Sequence, residues 1–260
     1  MTIDAMKQTR TQTLLVAGLV LTAAACGTKD APDPLSPSGA QGRVRFVNVI
    51  TDTTRGRVNA ILEGVPFGVN LTYTQATPAI LPAPSTASYA AILAGQRTLL
   101  LKRTADTNTV VATIPLTVAE GQDRTVYAIG GAANSPVTGL ITNDDNTAPA
   151  AGQTRVRVVH LSPSAGPVDI FVTAVDADLL TATPTLANVA YQAASQYLTV
   201  PTGTYQVRVV PAGTSPAARA GAVAINVASL VLPANGVRTI VAADNNVGGA
   251  PLRAFVLVDQ

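Results

Sequence analysis

The chain has 260 residues, of which 47% are hydrophobic and only 12% charged, with 17 Lys and Arg against 15 Asp and Glu for a net charge of +2. Its basic residues are spread singly, so the even balance excludes the clustered basic stripe of a nucleic-acid-binding domain. One histidine, one cysteine and no tryptophan exclude a structural zinc site, which needs four nitrogen or sulfur ligands.

The N-terminal segment 1–25 has the pattern of an export signal. Lys7 and Arg10 supply the positive region, and Leu14 to Ala25 carry no charge. That run is too short for a membrane span of about 20 residues. Small residues Ala23, Ala24 and Ala25 precede Cys26, as the pocket of a signal peptidase requires, which places cleavage between Ala25 and Cys26.

"TAAACG" at Thr22–Gly27 resembles the lipobox of bacterial lipoproteins, although Ala23 stands where that family usually carries Leu. The resemblance implies that the Cys26 thiol carries diacylglycerol and that the membrane partner is reached through this anchor. Gly27, in place of the Asp often found in inner-membrane lipoproteins, implies the outer membrane if the organism has one. The chain offers Cys26 no second cysteine for an internal disulfide, and an odd exported thiol calls for an explanation of this kind.

Residues 26–41 continue as "CGTKDAPDPLSPSGAQ", whose Pro32, Pro34 and Pro37 with Gly and Ser leave no apolar periodicity. The segment reads as a tether. An internal repeat then organises the rest. "GRVRFVNVI" at Gly42 returns as "TRVRVVHLS" at Thr154, "SYAAILAGQRTLLLKR" at Ser88 as "QYLTVPTGTYQVRVVP" at Gln196, and "DRTVYAIGG" at Asp123 as "VRTIVAADN" at Val237. Offsets of 112, 108 and 114 predict two copies of one domain, at 42–146 and 154–260, with a polar linker at 147–153.

The blocks alternate as half-buried strands do. Along Arg155–Leu161, Val156, Val158 and His160 fall on one face and Arg155, Arg157 and Val159 on the other. "PTGT" at Pro201–Thr204 predicts a hairpin joining "YLTV" to "YQVRVV", with Ala94–Gln96 in the same place in the first copy. Short strands between regular turns predict an all-β chain of two tandem Ig-like antiparallel β-sandwiches.

"RVRVVHLSPSAGPVDIFV", "YLTVPTGTYQVRVVPAGT" and "VRTIVAADN" resemble the domain of unknown function 4397 family, whose members occur in tandem in exported bacterial proteins. The resemblance covers residues 154–260 closely. The first copy diverges, with Asn48 where the second has His160. It implies the sandwich fold and an envelope location, and no mechanism.

His160, Ser162 and Asp169 are the three residue types of a hydrolase triad. No G-x-S-x-G elbow accompanies them, and the first copy has Asn48 and Ile50 at the positions matching His160 and Ser162. The simpler expectation is that the His160 ring hydrogen-bonds a neighbouring loop and fixes "SPSAGP". Asp144, Asp145 and Asp244 lie in the acidic-amide clusters "TNDDN" and "ADNN". Neither cluster has the spacing of a calcium loop, and Asp and Asn collect in turns for local reasons. Tyr89, Tyr127, Tyr197 and Tyr205 sit in strand patterns and are expected in the core with the hydroxyl at its rim. Tyr73 and Tyr191 lie in irregular segments and are expected at an exposed surface. No cofactor motif is present. The expected role is a non-catalytic envelope module that meets a surface protein or glycan, with an envelope hydrolase at His160, Ser162 and Asp169 as the alternative.

Overall fold

The computed structural model describes residues 39–77 and 89–260. The signal segment, the Ala25–Cys26 cleavage point, most of the tether and part of the diverged stretch Asn70–Thr86 lie outside the described residues. Val and Thr are among the commonest residues of the rest, and side chains branched at Cβ fit the pleated surface of a sheet. The first copy contributes β1 (Gln41–Ile50), β2 (Val58–Leu62), β3 (Val65–Leu71), β4 (Ala76–Thr77), β5 (Ala90–Leu93), β6 (Gly95–Arg103), β7 (Asp106–Val118), β8 (Asp123–Gly130) and β9 (Val137–Asp144). The second contributes β10 (Gln153–Leu161), β11 (Val168–Thr173), β12 (Leu186–Val189), β13 (Leu198–Pro201), β14 (Gly203–Pro211), β15 (Ile225–Leu232), β16 (Val237–Ala243) and β17 (Arg253–Val258).

Each copy is a sandwich of two sheets. In the first, an inner sheet runs β4-β1-β8-β9, with β5 also pairing β1, and an outer sheet runs β3-β2-β6-β7. In the second, the inner sheet is β13-β10-β16-β17 and the outer one β12-β11-β14-β15. The described chain is therefore all-β, as the alternation and turn spacing predict. One ladder in each copy departs from the antiparallel expectation. The strand that opens each copy lies parallel to a late one: β1 beside β8, and β10 beside β16.

The hairpin expected at Pro201–Thr204 does not form. β13 pairs with β10 in the inner sheet, whereas β14 pairs with β11 and β15 in the outer one. The turn is a corner from one sheet to the other, held by the Tyr205 hydroxyl donating to the Pro201 carbonyl at 2.8 Å. The first copy turns the same corner at Gly95, whose φ of +126° favours glycine. There the Arg97 guanidinium grips the carbonyls of Leu93 and Ala94, both at 2.8 Å. Turn residues specify a reversal of the chain, and side-chain burial decides which sheet each arm joins.

The β10 faces are divided as the alternation predicts: Val156 and Val158 enter the core of the second sandwich, and Val159 points the other way. The expectation of a half-buried strand fails, because both faces are covered. Val47, Val49, Tyr127 and Ile129 from the first inner sheet pack with Val159, Leu161, Val241 and Ala243 from the second. The two inner sheets thus meet face to face through side chains that a lone sandwich would expose, in a stack of four sheets. Tyr73 and Tyr191, expected at an exposed surface, instead pack against this cluster.

Tyr127 lies wholly buried there, and its hydroxyl has no hydrogen-bond partner. An unsatisfied buried hydroxyl costs about 1–3 kcal/mol. Tyr127→Phe is therefore expected to leave stability unchanged or raise it in equilibrium urea unfolding, with an unaltered denaturant slope. A clear loss would show that the hydroxyl has a partner.

Candidate functional site at the junction of the sandwiches

In both copies an arginine interrupts the apolar run of the opening strand: Arg45 in "VRFV" and Arg157 in "VRVV". Both face the junction, and both are only 2% exposed. Each reaches a carboxylate of the other sandwich. Arg45 donates to Asp259 Oδ1 at 2.6 Å and to the Val258 carbonyl at 2.8 Å. Arg157 pairs with Asp144 and donates to the Asn143 carbonyl at 2.9 Å. Asp144 ends β9 and Asp259 follows β17, at matching places in the two inner sheets.

The home sandwich orients each acid. Asp144 accepts from the hydroxyls of Thr125 and Tyr89, and Asp259 from those of Thr239 and Tyr197. Tyr89 and Tyr197 also lie beneath the arginines, 4.6 Å from Arg45 and 4.8 Å from Arg157, a cation–π arrangement. The arrangement is reciprocal, as in a symmetric dimer interface. Burial works against the charge on Arg45, but Asp259, Tyr89, Tyr127 and Asp144 outweigh it and raise the pKa above the usual arginine value. Arg157 is raised likewise against burial, chiefly by Asp144. Both guanidinium groups stay charged.

Beside this cluster opens a polar cleft of about 860 Å³, lined by Arg43, Asp123, Asn146, Arg155 and Tyr197 among others. Its charged groups hold one another, Arg43 with Asp123 and Arg155 with Asp145. Asp145 is thereby held well below the usual carboxylate range, first by the Arg155 hydrogen bond and then by Thr147. Of the three acids weighed for calcium, Asp144 belongs to the buried ion cluster and Asp145 to the Arg155 pair. Asp244 accepts from Ser162 Oγ, from Ser164 Oγ at 2.7 Å and from the Gly249 N–H at 2.7 Å. Among the described residues no three His, Cys, Asp or Glu side chains are grouped to hold a metal ion.

The structure does not assemble His160, Ser162 and Asp169 into a relay. His160 Nε2 lies 2.8 Å from the Gly166 carbonyl. A carbonyl only accepts, so Nε2 carries the proton, and Nδ1 is left to accept the Ser162 N–H at 3.4 Å. The Ser162 hydroxyl donates to Asp244. Asp169 lies on β11 of the outer sheet and accepts the Asn188 N–H at 2.8 Å. In the first copy Asn48 does the work of His160: its Nδ2 donates to the Gly56 carbonyl at 2.6 Å and its Oδ1 accepts the Ile50 N–H at 3.1 Å. Either side chain places an acceptor and a donor so as to lock the loop after the opening strand. What looks like divergence in the sequence is the same clamp built from a different residue.

Residues 42–171 and 172–260 match, in two consecutive segments, the profile of the Domain of unknown function (DUF4397) family. The chain belongs to this family. The boundary between the matched segments falls inside β11, whereas the strand ladders close on either side of residues 145–152. No curated protein matches the chain. Among solved structures, a leucine-rich repeat protein from Bacteroides thetaiotaomicron is 16% identical over 77% of this chain, with a TM-score of 0.19; the match spans only 26% of that protein. A structure described as alpha-glucan recognition by family 41 carbohydrate-binding modules from streptococcal virulence factors is 10% identical over 84% of this chain and 97% of its own, with a TM-score of 0.27. Neither likeness is close enough to bear on this DUF4397 protein. Motif and spacing alone do not mark the arginines or Asp259 as a cluster, although the repeat of "VR" in two apolar runs and of "ITND" as "VLVD" carries them.

Removing one partner from a buried ion pair leaves a charge unpaired and costs about 3–5 kcal/mol. Asp144→Asn is expected to lose that much in urea unfolding, whereas Arg157→Leu with Asp144→Leu loses markedly less. Equal losses would show that the pair is not coupled. His160 supplies a pH test. Burial pushes its pKa below the usual value, and the Gly166 hydrogen bond and the Asp244 charge offset this only in part. The folded chain keeps the ring neutral, while the unfolded chain binds a proton near pH 6.5. Stability from this group is thus complete above about pH 6.5 and falls as the pH drops toward the lower folded pKa. His160→Asn, the first copy's solution, is expected to fold and to lose less stability than wild type between pH 7 and pH 5, ranges set by that reference value. An unchanged acid slope would remove His160 as its source.

Proposed function

We propose that this protein is a lipid-anchored module of the bacterial cell envelope, held at Cys26 by acyl chains and carrying its two sandwiches as a single binding or structural body. The observation that carries this reading is the reciprocal exchange of Arg45 and Arg157 between the inner sheets. It supports a unit whose two inner sheets serve cohesion, leaving the outer sheets and the loops for contact with a surface protein or glycan. The polar side chains weighed for catalysis are engaged in loop and sheet contacts, which favours a non-catalytic role over the hydrolase. "TAAACG" and the Pro-rich residues after it supply the anchor and the spacer of this proposal. Several acyl chains on one residue make a stable attachment where one chain does not.

Intact mass of the membrane-extracted protein tests the anchor. The expected mass is that of a chain beginning at Cys26 plus acyl groups, with Cys26→Ser lost from the membrane fraction. An unmodified chain beginning elsewhere would overturn the proposal.

A further inference from the structure

The second copy differs from the first on the outward face of its outer sheet. β2 and β3 are joined by two residues, as are β6 and β7, whereas the equivalent connections in the second copy span 174–185 and 212–224. These segments fold over the outer sheet. Leu179 from one, with Ala222 and Val223 from the other, packs with Phe171 and Val210 of the sheet. Arg219 ties them together, lying 5.1 Å from the Phe171 ring and donating to the carbonyls of Leu179 and Ala182.

Under this cap is a cavity of about 470 Å³, lined by Asp178, Gln206, Arg208, Val223 and Asn226 among others. That volume lies within the range of small-molecule sites. Arg208 is only 8% exposed. Its one side-chain hydrogen bond within the protein goes to the Thr173 hydroxyl at 3.0 Å, and its buried Nε has no partner. Among the described residues no carboxylate stands within ion-pair distance of it. A guanidinium has five N–H donors, and a buried charge without a counter-charge is costly. The buried arginines of the junction show the contrast, since each has its aspartate.

The fold does not demand an arginine here. Phe171 pairs with Arg208 across the sheet, and in the first copy Ile61 pairs with Leu100 at the same place. Among the described residues the charge, the cap and this cavity therefore occur together in the second copy. We propose that this cavity binds the carboxylate of a small organic acid, with Arg208 as its counter-charge. Asp178, exposed at the rim, disfavours a dianion, and a planar carboxylate suits the fork of a guanidinium. The site is independent of the lipid anchor, so either can fail alone.

The test is thermal unfolding of the chain from residue 26 onward at constant ionic strength, titrated with glucuronate, inorganic phosphate or glucose against chloride. Glucuronate is expected to raise the Tm saturably, with glucose inactive and phosphate weaker. Arg208→Leu, which installs the first copy's residue, is expected to weaken the glucuronate response at least about tenfold while circular dichroism stays that of a sheet protein. If that variant does not fold, Arg208→Gln replaces it with the same expectation. A response equal in wild type and variant, a response to phosphate alone, or no saturable response in wild type would overturn the proposal.

Discussion

The buried exchange of charge between the inner sheets is the constraint on which the rest of the molecule turns. Two arginines and two aspartates are withdrawn from water together, and such a group is tolerated only when every member is paired and hydrogen-bonded. The hydrogen-bonded pairs cross between the copies, Arg45 to Asp259 and Arg157 to Asp144, and within one sandwich Arg45 has only the longer 3.7 Å approach to Asp144. Each copy also presents apolar side chains on the face around its arginine, Val47, Val49 and Ile129 in the first and Val159, Leu161 and Val241 in the second, and that face would be exposed if the copies separated. Apolar burial supplies the drive for association, and the charges fix its register, because a shifted docking would leave an ion unpaired.

This constraint explains features that look unrelated. The opening strand of each copy is buried on both faces because it lies between two cores, its own sandwich core and the junction. The parallel ladder places that strand at the centre of the inner sheet, where Arg45 stands beside Thr125 and Arg157 beside Thr239. These threonines hold the acids that receive the opposite arginines. Tyr89 and Tyr197 close the arrangement from the positions just before β5 and β13, the inner-sheet strands that lead into the corner to the outer sheet in each copy. The junction involves the inner sheets, and the outer sheets differ between the copies, the second carrying a cap, a cavity and Arg208.

The clamp after the opening strand shows how chemistry can be misread from residue type. A sole histidine near a serine and an aspartate invites a catalytic reading. Geometry gives the ring a carbonyl on one nitrogen and a backbone N–H on the other, and an asparagine meets the same demands in the first copy. What is shared between the copies is a donor and an acceptor at fixed separation, and the ability to titrate belongs to one copy only.

Local pattern and repetition made much of this protein legible before any coordinates. The period of two in "RVRVV" marks strands, and three blocks recurring at similar offsets mark two copies, because each block must place the same side chains inward in each sandwich. Three matters needed the tertiary structure. The sheet joined by each arm of the Pro201–Thr204 turn depends on distant partners. The burial of the second face of β1 and β10 depends on another domain, as does the inward placement of Tyr73 and Tyr191. The pairing of Arg45 with Asp259 joins residues at opposite ends of the folded chain, and no local spacing encodes it. Sequence periodicity reports which residues share a face, and only packing decides what that face meets.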